Sequence, residues 1–258
     1  MGATAKILFE DDAVLAVAKP AGIVVVPARN EDPAASLRHV LERERGERLW
    51  VVHRLDRDTS GVVLFARTAD AHRALNAAFE LHAARKTYWA IVRAAPPADR
   101  GTIGVPLHGA RKGKMRPASP GEEGAQAALT EYDFVRGWNL PALQPALLEV
   151  RPRTGRQHQV RVHLRSVGAP LLIDPLYGGS SSVTEQDLGL AGERVLCSRL
   201  TLHALRLECP VPWRAEPLRV EAPVPEDLAG LLQALDAAVT QAVGPGAGSG
   251  SGSGSAPT

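Results

Sequence analysis

Nine consecutive residues, His53-Arg54-Leu55-Asp56-Arg57-Asp58-Thr59-Ser60-Gly61, place two carboxylates, two guanidiniums and an imidazole together. A carboxylate with a guanidinium beside it is favoured in its ionised form and can add to a substrate or accept a proton. Ser60 with His53 and an aspartate would instead suit acyl transfer, although Ser60 lies outside any Gly-x-Ser-x-Gly elbow. The plainest alternative is a solvated turn laced with surface ion pairs.

A second constellation runs from Arg151 to Arg165 and holds five arginines and no acid. So many uncompensated cations repel one another unless anions lie nearby, so the segment is expected to meet phosphate and one internal carboxylate. A merely solvated basic face is the alternative. Strand alternation over Val160, Val162 and Leu164 is allowed, but a helix accounts for more. Val160, Leu164 and Val167 repeat at i, i+4 and i+7, Gly155 precedes, and Gly168 followed by Pro170 is a stop signal. On such a helix His158, Arg161 and Arg165 share a polar face. Arg153 and Arg156 sit at its N-terminal approach, where backbone N–H groups favour phosphate.

The elements that must position these groups are short. Leu49 to Val52 and Val62 to Phe65, on either side of the charged nonamer, read as buried strands, with Asp58-Thr59-Ser60-Gly61 as the turn between them. Ile7 to Phe9 and Val14 to Val17 read as two further strands, the second running into Lys19-Pro20-Ala21-Gly22 and then Ile23 to Val26. Ser36 is the expected N-cap of a helix through Glu44, and Thr68 or Asp70 opens another carrying Ala71, Leu75, Ala78 and Phe79. Lys86 to Val92 returns as a strand. Gly109 to Gly124, basic at Arg111, Lys112, Lys114 and Arg116, reads as a long exposed loop or hairpin. Leu228 to Val239 fits a closing helix. This mixture, without regular βαβ alternation, predicts an α+β fold, a mixed and mainly antiparallel sheet with flanking helices. One domain is expected over residues 1–243, followed by a disordered Gly/Ser-rich tail over 244–258.

Across its 258 residues the chain is 45% hydrophobic and 22% charged, with a net charge of +2, so any nucleic-acid surface has to come from local clustering. Cys197 and Cys209 stand in no metal-ligand spacing and are expected as free thiols. No apolar run approaches a membrane span and the N-terminus has no signal-peptide pattern, which makes a cytoplasmic monomer the expectation.

His53-Arg-Leu-Asp56-x-x-Thr59-Ser60-Gly61 resembles the catalytic loop of the RluA-type pseudouridine synthases. Four more motifs follow the same family order: Lys19-Pro20-Ala21-Gly22, Lys86-Thr87-Tyr88, Thr154-Gly155-Arg156-x-His158-Gln159-Val-Arg161-Val-His163-Leu with Asp174-Pro175-Leu176-Tyr177-Gly178, and Leu202-His203-Ala204. The match extends from about residue 14 to 212. Val26 stands where members often carry His, and Ile173 where Gly commonly precedes Asp-Pro. The family's frequent N-terminal S4 domain is not expected, since the chain opens on the first strands of the catalytic domain.

The resemblance implies the pseudouridine synthase fold and isomerisation of uridine to pseudouridine in ribosomal or transfer RNA. It makes Asp56 the nucleophile, Arg161 its charge partner and Tyr88 the active-site tyrosine, which would stack on the target base. Arg54 would help to displace that base from its stack, and Leu202 would line the uracil pocket. Arg153, Arg156, His158 and Arg165 are the expected RNA contacts, and His53 and Ser60 are expected to shape the loop. The reaction is redox-neutral and moves no phosphate, so no metal or cofactor is expected. A catalytically silent RNA-binding module is the alternative, which retention of Asp56, Tyr88 and Arg161 disfavours.

Overall fold

The computed structural model describes residues 5–27 and 32–242; the expected tail over 244–258 lies outside them. Its strands are β1 (Lys6–Glu10), β2 (Val14–Lys19), β3 (Trp50–Val51), β4 (Ser60–Ala66), β5 (Arg85–Val92), β6 (Arg100–Ile103), β7 (Leu107–Gly109), β8 (Met115–Pro117), β9 (Thr130–Gly137), β10 (Ala146–Pro152), β11 (Val183–Thr184), β12 (Val195–Cys197), β13 (Leu202–Cys209) and β14 (Leu218–Glu221). The helices are α1 (Leu37–Arg45), α2 (Ala69–Glu80), α3 (Gln159–Ser166) and α4 (Glu226–Ala242). Ten strands form one sheet in the order β1-β2-β4-β13-β5-β10-β9-β6, with β14 on β13 and β3 on β4. Its pairs are antiparallel except β4 with β13, so the sheet is mixed and mainly antiparallel, with four helices beside it. β7–β8 and β11–β12 are separate ribbons.

Both faces of the sheet's centre are covered, which is why β4 reads as an unbroken apolar run buried throughout. Val62, Leu64 and Ala66 pack with α2 through Ala71, Leu75 and Ala78. Val63 and Phe65 pack with α1 through Leu37 and Leu41. Across the other half, Val160 and Leu164 of α3 meet Ala90, Val92, Leu148 and Val150, while Leu228, Leu231 and Leu235 of α4 meet Ile91 and Leu147. Tyr88 is partly buried against both the α1 and α3 clusters, so the seam between them opens beside it.

Capping follows the sequence closely. Ser36 and Thr68 are the N-caps of α1 and α2, accepting hydrogen bonds from the N–H groups of His39 and Ala71. The run Ile23–Val26 forms no strand; its carbonyls at Val24 and Val25 accept from the first N–H groups of α1. The basic stretch is the β7–β8 hairpin. Cys197 and Cys209 are free and buried. No helix among the described residues is long and apolar enough to cross a membrane.

Candidate active site

β4 divides one of its edges between two partners. Its first residues pair with β13 (Ser60 with His203, Gly61 with Ala204), and its last pair with β3 (Phe65 with Val51, Ala66 with Trp50). The amide of Leu64, between those stretches, donates to His53 Nε2 at 3.0 Å, so the imidazole supplies the acceptor a strand would have offered. That ring stacks on Phe79 at 4.8 Å, and burial pushes its pKa down to about 3, so it is neutral. The other end of the loop depends on Gly61: its φ is +126°, and a Cβ there would lie 2.1 Å from the Ala204 carbonyl oxygen.

The loop's middle is gripped from the Lys19-Pro20-Ala21-Gly22 turn. Lys19, 1% exposed, donates to the carbonyls of Pro20, Ile23 and Arg57 at 2.9, 2.7 and 2.7 Å, which occupies all three ammonium protons. Burial lowers its pKa to about 7, against the opposing fields of Asp58 and Asp56. The Gly22 N–H also donates to the Arg57 carbonyl, at 2.9 Å. Leu55 is buried in the α1 cluster, and the next residue, Asp56, keeps a half-buried carboxylate at the cleft.

Arg161 approaches that carboxylate from α3, with Nη1 at 3.3 Å from Asp56 Oδ2. Its tighter partner is Asp174, which accepts from Nε at 2.9 Å and Nη2 at 2.7 Å in a forked pair. Both members of that pair are almost wholly buried. The ring of Tyr177 lies 5.0 Å from the Arg161 guanidinium, and the Tyr177 N–H donates to Asp174. His158 places Nε2 3.9 Å from the same Asp56 oxygen.

The cleft over Asp56 has two joined recesses. One, about 490 Å³, is lined by Tyr88, Leu202, Lys86, His53 and Thr154. The other, about 780 Å³, is lined by Val25, Arg57, Leu176 and Arg199. Asp56, Arg54, Arg156, His158 and Arg161 line both. Tyr88 reaches its place by strand register: Gly61, Ala204, Tyr88 and Val150 form one row across β4, β13, β5 and β10. Burial, reinforced by the Asp56 charge, raises the Tyr88 phenol, so it stays protonated. Burial lowers Lys86 to about 8, and its Nζ donates to the Thr154 carbonyl at 3.0 Å.

The expected site residues divide in this geometry. Asp56, Tyr88, Arg161, Arg54, Arg156, His158 and Leu202 converge on the cleft. Arg153 and Arg165 are not among the residues lining it. The expectation of an uncompensated basic segment is corrected by the fold. Glu131 forks Arg153 at 2.8 Å through two bonds, and Arg151 pairs with Asp133 and Glu149. Those acids lie on β9 and β10 and are invisible to a reading of residues 151–165 alone. The shared polar face is also corrected. His158 precedes α3 with a left-handed φ of +53°, Arg161 is buried, and Arg165 is exposed.

Asp174, Tyr177 and Lys19 belong to the motifs named above, but the sequence alone gives them no role in the site. Asp174 had a signal of its own: an acid ending the apolar run Leu171-Leu172-Ile173 needs a cation if it is buried. Ser60 has the expected structural place. It accepts from Arg199 Nη1 at 3.0 Å and faces His203 Nδ1 at 2.8 Å, while His203 Nε2 donates to the Ala222 carbonyl. A nucleophilic Ser60 paired with His53 is disfavoured, since Ser60 is 1% exposed and His53 instead accepts from the Leu64 amide.

Comparison with known proteins places these features in context. The family profile described as RNA pseudouridylate synthase matches residues 13–166. "Ribosomal large subunit pseudouridine synthase D" of Xanthomonas campestris pv. campestris is 36% identical over 234 residues, 89% of this chain and 69% of the relative. "Uncharacterized RNA pseudouridine synthase YhcT" of Bacillus subtilis is 37% identical over 232 residues, 87% of this chain and 70% of the relative. Among solved structures, "Human RNA Pseudouridylate Synthase Domain Containing 4" superposes with a TM-score of 0.69 at 27% identity, covering 90% of this chain and 93% of that one.

Proposed function

The chain belongs to the RNA pseudouridylate synthase family and is a pseudouridine synthase, an isomerase; on that premise we propose that it acts on ribosomal RNA with Asp56 as the reacting carboxylate. The observation that carries this reading is the half-buried Asp56 carboxylate at 3.3 Å from Arg161, in a cleft walled by Tyr88 and Leu202. Ribosomal RNA is favoured over transfer RNA by the similarity to large-subunit ribosomal pseudouridine synthases.

The reaction breaks the bond from ribose C1′ to uracil N1, turns the base and joins C1′ to C5, with C5 giving up its proton and N1 taking one up. Asp56 either adds covalently or removes a ribose proton to give a glycal-like intermediate. Arg161 pairs with the carboxylate at 3.3 Å and aims it through either route. The flipped uracil fits the smaller recess, its face on the Tyr88 ring and its edge against Leu202. The protonated Tyr88 hydroxyl stands ready to exchange protons with the turning base. Arg54 and Arg156 at the rim carry phosphate.

The reaction needs no metal or cofactor in this reading. His53, His158, His163 and His203 each commit a ring nitrogen to a protein partner, so they are poorly placed as a ligand set. The test is single-turnover isomerisation of large-subunit ribosomal RNA fragments and of transfer RNA by wild type, Asp56→Asn and Tyr88→Phe, in EDTA. Asp56→Asn should bind RNA and convert no uridine, and Tyr88→Phe should bind and lose most turnover. Substantial turnover by Asp56→Asn would sink the assignment, and conversion confined to transfer RNA would overturn the substrate.

A further inference from the structure

The Tyr177 side chain touches the β7–β8 hairpin, the Arg161 guanidinium paired with Asp174, and His158. Its hydroxyl accepts from the Met115 N–H at 2.8 Å and lies 2.7 Å from His158 Nδ1. Met115 N can only donate, so the phenolic proton is left for the remaining neighbour, the imidazole nitrogen. His158 then accepts at Nδ1 and, as a neutral ring, carries its proton on Nε2. That nitrogen points at Asp56 Oδ2, 3.9 Å away, the oxygen Arg161 reaches at 3.3 Å.

We infer that Tyr177 is a positioning residue whose hydroxyl fixes His158 as the Nε2–H tautomer, so that a donor rather than a lone pair faces Asp56. This inference rests on the reading of Asp56 given above. With the opposite tautomer two acceptors would face each other and push the carboxylate off line. With this one, Arg161 and His158 both address Oδ2 and leave Oδ1 to the substrate. Two further features agree. His158 adopts a left-handed backbone, a conformation sparsely used by residues with a Cβ, which aims its ring at the cleft. Burial lowers the His158 pKa, with Asp56 and Asp174 pulling up and Arg161 and Arg54 pulling down, so the ring is neutral and the tautomer matters. The same chain ties the hairpin to the site, because Met115 is the donor that orients the phenol.

The experiment is long-range nitrogen–proton NMR of the histidine rings in the free, full-length protein at neutral pH, paired with single-turnover kinetics. Wild-type His158 should show a protonated Nε2 and a bare Nδ1. Tyr177→Phe should admit the Nδ1–H form and slow turnover by about fivefold to tenfold while RNA affinity stays within about twofold. In His158→Gln the carboxamide can donate without help from Tyr177, so adding Tyr177→Phe should cost nothing more. An Nδ1–H ring in the wild type would overturn the inference, and so would an unchanged tautomer in Tyr177→Phe or a full second loss in the double variant. A wild-type Nε2–H ring in a protein that isomerises no uridine would speak against the role of Asp56 instead.

Discussion

Arg161 is held more tightly by Asp174 than by Asp56: the forked pair to Asp174 is 2.7 and 2.9 Å long, and the reach to Asp56 is 3.3 Å. The buried aspartate therefore orients the guanidinium, leaving Nη1 to the reacting carboxylate, which has to stay accessible. Asp174 is itself set by the Tyr177 and Gly179 N–H groups, which donate to its side chain and its carbonyl, respectively.

This arrangement separates two losses. Arg161→Met strands a buried carboxylate, so the variant should lose turnover and about 3–5 kcal/mol of stability. Asp174→Asn keeps a partner for the guanidinium and should lose turnover with a much smaller drop in melting temperature. Equal unfolding midpoints for the two would overturn Asp174 as the main partner of Arg161.

Lys19 is far from a surface lysine in its duties. Lys19→Met leaves the Pro20 and Ile23 carbonyls without their donor and the Arg57 carbonyl with Gly22 alone. Each carbonyl left unpaired costs about 1–3 kcal/mol. Calorimetry should record that loss, and single-turnover rates should fall with RNA affinity retained, because Asp56 adjoins the released segment. An intact rate in a folded variant would remove Lys19 from the positioning of the loop.

The basic segment should respond unevenly to truncation. Arg54 and Arg156 line the cleft, so alanine at either should weaken RNA binding and lower the salt slope by about one phosphate contact. Arg153 is neutralised by Glu131, and Arg153→Ala should leave the slope unchanged. Titrations across several salt concentrations decide it, and a lowered slope for Arg153→Ala would mean that RNA displaces the Glu131 pair.

His203 gives the fold a pH dependence. It is 1% exposed, and burial pushes its pKa from 6.5 to about 4. Between those values the unfolded chain holds a proton the folded chain refuses, so stability rises with pH across the window. It is complete above about pH 6.5 and falls on acidification, by at most about 3 kcal/mol from this residue. His53 acts in the same direction. Thermal unfolding of wild type and His203→Asn from about pH 7 down to about pH 4.5 checks it. The variant should show the shallower slope, and parallel curves would count against a titrating His203.

Local chemistry carried much of this molecule into its sequence. The caps at Ser36 and Thr68 report hydrogen bonds within one turn, while the unbroken apolar run of β4 and the helical period of Val160 and Leu164 report which faces are buried without naming what buries them. The reactive loop was also legible, since so many charges between two apolar strands have no purpose in the core. The motifs also carry most of the charged and aromatic residues that line the cleft.

Tertiary structure decided which charges meet. Arg153 and Arg151 looked free because their partners, Glu131, Asp133 and Glu149, come from strands set beside them only by sheet register. Asp174 and Tyr177 became parts of the site because the chain returns past α3, and Tyr88 faces the cleft because Gly61 admits Ala204 at a distance no side chain would permit. Coulomb attraction and hydrogen bonding depend on distances of a few ångströms, and those are fixed by pairings 13 to 105 residues apart.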